Sequence, residues 1–142
     1  MASILKVDTL TGVTTAGSIS VTGEGNSTTT NLQQGLAKCW CNLNGTTFGN
    51  RDGLNVASNT DNGTGDYTTT FTNAMNDANY ATVDGSIDSV SSQPRSTELS
   101  ADQFTHTTAS YRRQYNLSQA AGDGNFVYDV NNVMQAVFGD LA

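Results

Sequence analysis

The clearest binding chemistry in this chain lies in the run Tyr111-Arg112-Arg113-Gln114-Tyr115, where basic and aromatic residues cluster within an acidic sequence. Aromatic rings can stack on sugar faces, and guanidinium groups donate hydrogen bonds to hydroxyls and carboxylates. We therefore take Tyr111, Arg112, Arg113 and Tyr115 as candidate receptor-binding residues. The alternative is that Tyr111, Arg113 and Tyr115 form one face of a strand and have a structural role.

Residues suited to catalysis or metal binding lack the surroundings that such chemistry needs. His106 is the single histidine and lies in a threonine-rich run without a nucleophile motif. Cys39 and Cys41 are expected to be buried thiols, neither bridged to each other nor bound to metal; a ring of cysteines around a symmetry axis stays open. Aspartates lie mostly in turn-like sequences such as Asp61-Asn62-Gly63. We expect no enzyme activity and no cofactor.

The elements that would position these residues are predicted to be β-strands. From Ala37 to Leu43 small apolar residues alternate with Lys38, Trp40 and Asn42, and Tyr67, Thr69 and Phe71 share one face of a second strand. Asn62-Gly63 favours a tight turn between these two strands, which predicts that they are antiparallel neighbours. Strands are expected near 36–44, 54–58, 66–72, 79–85, 107–117, 125–130 and 133–139. Abundant Thr, Asn, Ser and Gly agree with an all-β class.

Composition favours association with identical copies. The chain has 142 residues, of which 36% are hydrophobic, and a net charge of −7. So polar a chain could be partly disordered, but its regular alternation favours a core completed by contacts between copies. The negative net charge argues against nucleic acid as a partner. The sequence contains no run of about 18 apolar residues, so membrane insertion is not expected. The first residues do not form a secretory signal, since their apolar run is broken at once by charge.

Three motifs in the chain resemble carboxy-terminal modules of bacteriophage fibre proteins, especially those of marine and cyanobacterial phages. They are Ala37-Lys38-Cys39-Trp40-Cys41-Asn42-Leu43-Asn44-Gly45-Thr46, Asp61-Asn62-Gly63-Thr64-Gly65-Asp66-Tyr67-Thr68 and Phe71-Thr72-Asn73-Ala74-Met75-Asn76-Asp77-Ala78-Asn79-Tyr80. The ending Val133 to Asp140 and the opening Met1 to Thr9 are similar to the same proteins. Asn76 departs from the pattern, since proline is common at its position.

The resemblance implies a virion structural protein, a tail or head fibre subunit, assembled in the host bacterial cytoplasm. It implies a homotrimer in which an extended amino-terminal segment, residues 1–31, attaches to another virion protein and intertwines with its copies. Residues 32–142 would form a compact antiparallel β-sandwich-like head domain that contributes to adhesion to a host-surface glycan. The candidate virion-attachment residues are Ile4, Leu5, Val7 and Leu10.

Two further features bear on this organisation. Residues 29–34 could form a single helical turn that ends at Gly35, as a neck between the two parts. Residues 86–105 contain the only proline and read as a long loop suited to recognition. The alternative function is a free-standing carbohydrate-binding module or bacterial adhesin, in which the opening segment would be a polar tail without an ordered role.

Overall fold

The computed structural model describes residues 4–13, 19–23, 28–87, 105–117 and 126–142. The chain divides into two units, Met1–Leu36 and Ala37–Ala142. The boundary predicted after residue 31 falls inside the first unit, because the helical turn that follows is bonded to the strands before it. The main chain of Leu32 donates a hydrogen bond to the Ile19 carbonyl over 2.8 Å.

The amino-terminal unit holds one small antiparallel pair and one turn of helix. Strand β1 (Ser20–Thr22) pairs with β2 (Thr29–Asn31), and helix α1 (Leu32–Gly35) follows directly. The Asn31 side chain caps this helix by accepting hydrogen bonds from the main-chain N–H groups of Gln33 and Gln34, at 2.8 and 3.2 Å. A helical turn is thus present as predicted, but it spans Leu32–Gly35 and includes the glycine, whereas the first residues of the predicted turn, Thr29–Asn31, form strand β2.

The second unit contains the remaining strands. They are β3 (Cys39–Asn44), β4 (Gly49–Leu54), β5 (Val56–Gly63), β6 (Asp66–Phe71), β7 (Ala81–Ile87), β8 (Thr105–His106), β9 (Ser110–Gln114), β10 (Asn116–Leu117), β11 (Phe126–Val127) and β12 (Asn132–Phe138). Two four-stranded antiparallel sheets form, in the orders β4-β3-β12-β7 and β5-β6-β9-β8, and β10 pairs with β11. The predicted all-β, antiparallel, sandwich-like class is confirmed.

The prediction that the strands near 36–44 and 66–72 are neighbours is wrong. They are β3 and β6, which lie in different sheets. Asn62 and Gly63 end β5, and Thr64-Gly65 forms the turn that joins β5 to β6. Strand β3 pairs instead with β4 and β12. Strand β4 was not predicted, because its sequence, Gly49 to Leu54, is polar and its side chains are largely exposed.

The core lies between the two sheets. The alternation of side chains along a strand places Cys39, Cys41 and Leu43 of β3 inward. In the facing sheet it places Tyr67, Thr69 and Phe71 of β6 inward. Two apolar clusters result. The first comprises Cys39, Phe71, Met75, Tyr80, Tyr111 and Val137, and the second comprises Leu43, Tyr67, Tyr115, Val130 and Val133. Within the described ranges, no helix is long and apolar enough to cross a membrane.

Candidate functional site

The predicted receptor-binding cluster lies on β9, an interior strand of its sheet. Tyr111 and Arg113 are completely buried and Tyr115 is 3% exposed, whereas Arg112 points outward. The prediction that Tyr111, Arg113 and Tyr115 form a receptor-binding surface is therefore wrong. The physical reason is alternation: these three side chains share the face of β9 that the opposite sheet covers. The structural alternative holds for them.

Arg113 joins the two sheets through a network of buried hydrogen bonds. Its Nε donates to the Tyr115 hydroxyl at 3.1 Å, and its Nη1 donates to Thr69 Oγ1 at 3.1 Å and to Gln135 Oε1. Its Nη2 lies 3.7 Å from Cys41 Sγ. Gln135 and Cys41 belong to the opposite sheet, so one guanidinium group contacts both layers of the sandwich.

Asp84 supplies the negative charge nearest to Arg113. Its Oδ1 lies 4.0 Å from Arg113 Nε, and its Oδ2 accepts a 2.5 Å hydrogen bond from the Tyr111 hydroxyl. Burial raises the pKa of Asp84, while the Tyr111 hydrogen bond and the Arg113 charge act against that rise. The Asp84 carboxylate thus balances the charge of Arg113 inside the sandwich, and its hydrogen bond with the Tyr111 hydroxyl helps to position that ring.

His106 is a residue of strand β8, as expected from its threonine-rich surroundings. Its ring centroid lies 4.4 Å from that of Tyr80 and 5.2 Å from that of Tyr111. Burial lowers the pKa of His106, and the Asp84 carboxylate partly opposes this change. The imidazole is thus part of an aromatic cluster, with tyrosines as its ring neighbours.

Both cysteines are buried free thiols. Burial raises the pKa of Cys39 to about 12, with a further contribution from Cys41, so the reactive thiolate does not form at neutral pH. Because both side chains are enclosed within their own sandwich, the open alternative of a cysteine ring around a symmetry axis is wrong. In the part of the chain that the structure describes, no group of three or more His, Cys, Asp and Glu side chains could hold a metal ion.

Arg112 lies on the outward surface of the β5-β6-β9-β8 sheet, which we name the polar face. Its strand residues are Ser58, Thr60, Asn62, Asp66, Thr68, Thr70, Thr105, Ser110, Arg112 and Gln114. Arg112 forms a two-point ion pair with Asp66, at 2.9 Å for Nε–Oδ1 and 2.5 Å for Nη2–Oδ2, which raises the Arg112 pKa. The polar face therefore presents hydroxyls, amides and one paired cation.

The polar face was not among the sites predicted from the sequence, although the alternation in β6 indicates part of it. Thr68 and Thr70 alternate with the predicted inward residues of β6 and so had to point outward. Their cross-strand partners, however, depend on the pairing of β5 with β6 and β9. That pairing cannot be read from either strand alone.

The four candidate attachment residues lie in the amino-terminal unit and are all exposed. Ile4 and Leu5 are 78% and 79% exposed, and Val7 and Leu10 are each more than half exposed. Residues 4–13 form neither helix nor strand. The apolar side chains of this segment are thus open to contact with another chain. Most of the predicted recognition loop, residues 88–104, lies outside the described residues.

No family model, curated protein or solved structure matches this chain. The resemblance to phage fibre modules therefore rests on the sequence motifs themselves. The structure independently defines the class of the fold, an antiparallel β-sandwich in which buried Arg113 links the two sheets.

Proposed function

We propose that this chain is a structural subunit of a bacteriophage virion, a short tail or head fibre that assembles as a homotrimer. The observation that carries the proposal is the exposure of Ile4, Leu5, Val7 and Leu10 on a segment without a core of its own. Such residues gain stability when another chain covers them. The amino-terminal unit attaches to another virion protein, and the sandwich faces outward.

The placement of the reactive groups supports a structural role over an enzymatic one. The groups with the strongest burial, Arg113, Tyr111 and Cys39, bond or pack between the sheets and do not converge on a cleft. The titratable residues thus serve the fold. The subunit assembles in the host bacterial cytoplasm, acts in the virion, and needs neither nucleic acid nor membrane insertion for its role.

Adhesion to a host-surface glycan is a second duty of the same subunit. With Tyr111, Arg113 and Tyr115 buried, we place this duty on the polar face, where Arg112 and the neighbouring hydroxyls are accessible. The same observation favours the alternative function, a free-standing carbohydrate-binding module or bacterial adhesin. The two functions differ in what they require of the amino-terminal unit, which only the fibre uses.

Deletion of residues 1–25 tests the attachment role. We expect the truncated protein to keep the circular dichroism and thermal unfolding of the sandwich but to be lost from purified virions, because the apolar contacts with the particle are gone. Quantitative mass spectrometry of particles measures incorporation. A full-length variant with Ile4, Leu5, Val7 and Leu10 changed to Ser should reproduce the loss, whereas Thr9→Ser and Thr11→Ser should not.

Normal incorporation of the truncated chain would refute the attachment role. Absence of the full-length chain from virions, together with glycan binding that survives the truncation, would instead establish the free-standing module.

A further inference from the structure

One row of residues on the outward surface of the β4-β3-β12-β7 sheet is apolar across all four strands. The strand register sets Leu54 opposite Trp40, Trp40 opposite Ala136, and Ala136 opposite Val83, so one row of apolar residues crosses all four strands. Ala81 and Phe138 extend this row on one side. On the other side Met134 and Ile87 lie beside the outward polar residues Asn42, Asp52 and Asn132. We name the following residues the apolar face: Trp40, Leu54, Ala81, Val83, Ile87, Met134, Ala136 and Phe138.

The large side chains of the apolar face are open to solvent. Val83 is 63% exposed, Ile87 53%, Leu54 48% and Trp40 37%. The corresponding surface of the other sheet, the polar face, consists of Thr, Ser, Asn, Gln and one ion pair. A chain with only 36% hydrophobic residues thus places a contiguous set of them on one outer surface. Contiguous apolar patches of this kind mark contact surfaces.

The charge at the apolar face suits contact with another copy of an acidic chain. Asp52 is the one charged strand residue in its outward register, and Arg51 bonds to Asn42 and Asn132 at one end. Lys38 precedes β3. These residues carry no acidic excess, whereas the whole chain has a net charge of −7. Two copies therefore meet with least repulsion through this surface.

The area of this sheet surface can be compared with the area that a stable interface between two copies buries. Four strands about 4.8 Å apart, each about 20 Å long, cover roughly 400 Å² in projection. A stable interface buries about 800 Å² on each partner, and the apolar face is a part of this sheet surface, so it supplies the centre of such an interface and the polar residues around it supply the rim.

We propose that copies of this chain pack against one another through the apolar face. This inference rests on the proposed homotrimer and adds to it the surface of contact. It leaves the polar face directed outward in the assembly, where the proposed adhesion takes place. Trp40, the single tryptophan of the chain, lies within the central apolar row and reports directly on the contact.

The first experiment follows Trp40 in the unmodified full-length protein as it is diluted. Sedimentation velocity gives the oligomeric state, and tryptophan emission with acrylamide quenching gives the exposure of Trp40 at the same concentrations. We expect the trimer to show blue-shifted, weakly quenched emission, and the monomer formed on dilution to show red-shifted emission that is quenched several-fold more strongly.

The second experiment compares two full-length variants of equal charge change. Leu54→Lys with Val83→Lys places cations on exposed positions of the apolar face, and Ser58→Lys with Thr60→Lys does so on the polar face. We expect the first pair to weaken trimer formation by about a hundredfold, because charged groups would be buried without partners. The second pair should change it by less than about threefold in either direction.

The outcomes separate this inference from the proposed function. A trimer that tolerates both pairs of substitutions overturns the apolar face as the contact while leaving the homotrimer in place. A wild-type monomer overturns both. Trp40 that is protected from quenching in the monomer overturns the inference too, since another part of the same chain would then cover the face. Circular dichroism of each variant establishes that the sandwich is folded.

Discussion

At the scale of single residues, Arg113 is the side chain that departs most from an ordinary core. It carries a full positive charge at a position with no exposed surface, and every polar neighbour is a residue of the sandwich. A buried ion is tolerated only when its hydrogen bonds are made and a countercharge is near, and Asp84 supplies the latter. The core is thus specified by polar bonds as well as by apolar packing.

Replacing Arg113 with Met should destabilise the protein by about 3–5 kcal/mol, because Asp84 and Gln135 would lose their buried partner. The matched control is Arg112→Met, which removes a neighbouring guanidinium from the polar face. The Arg112 side chain is 36% exposed, so its ion pair with Asp66 is partly screened by solvent and the expected cost is smaller, about 1–2 kcal/mol. Urea unfolding at one fixed protein concentration measures both. Equal costs for the two variants would contradict the central role of Arg113.

The sequence predicted which residues share a face but not which face is covered. Tyr111, Arg113 and Tyr115 are spaced two apart, which places them together in any strand. Whether they are exposed to solvent or covered by a second sheet depends on residues of that sheet, such as Gln135 and Cys41, which are distant from Arg113 in the sequence. With few other large apolar residues available, the tyrosines are used to fill the core.

At the scale of elements, the β5–β6 hairpin depends on a glycine held close to another segment. Gly65 has φ +67, and its N–H donates a 2.7 Å hydrogen bond to Asp129 Oδ1. A Cβ at this position would lie 2.6 Å from the Tyr128 carbonyl oxygen and 2.9 Å from that of Tyr115. The hairpin therefore packs backbone against backbone, with no room for a side chain.

Gly65→Ala should destabilise the sandwich by more than about 2 kcal/mol, since the left-handed backbone conformation alone costs about 1–3 kcal/mol and the overlap with two carbonyl groups adds to it. Gly49→Ala serves as control, because no atom lies within 4 Å of its Cβ position. That change should be neutral or stabilise by up to about 1 kcal/mol. Thermal unfolding of both variants gives the comparison, and a Gly65 variant as stable as the control would contradict the close packing.

Strand β4 shows why some elements escape prediction. Its residues lack the alternation and the β-branched side chains that indicate a strand. It is held instead by Arg51, which donates hydrogen bonds to the Asn131 carbonyl at 2.9 Å and to Asn131 Oδ1 at 2.8 Å. Those partners lie far along the chain, so the contact that stabilises β4 exists only once the fold has formed.

At the scale of the whole molecule, the acidic balance opposes assembly. Each copy carries a charge of −7, so a trimer gathers like charges. Raising NaCl from about 10 to 150 mM shortens the Debye length from about 30 to 8 Å, which should tighten trimer formation several-fold. Sedimentation across this salt range tests the expectation. Weaker assembly at high salt would show that ionic contacts between copies dominate.

The polar-face lysine pair provides the control for this salt effect. Ser58→Lys with Thr60→Lys changes the charge of each copy from −7 to −5. The dependence of assembly on salt should be smaller for this variant than for the wild type, because the repulsion to be screened is smaller.

The two enclosed thiols have a consequence for the proposed virion subunit, which would be made inside a cell and work outside it. Oxidation of a cysteine needs both a thiolate and a route for the oxidant. Burial raises the pKa of Cys39 to about 12, which suppresses its thiolate, and both the Cys39 and Cys41 side chains lie between the sheets, where an oxidant has no route to them. A subunit with this role would pass from a reducing to an aerated medium without a change at its cysteines, and its stability there would not depend on a disulfide bond.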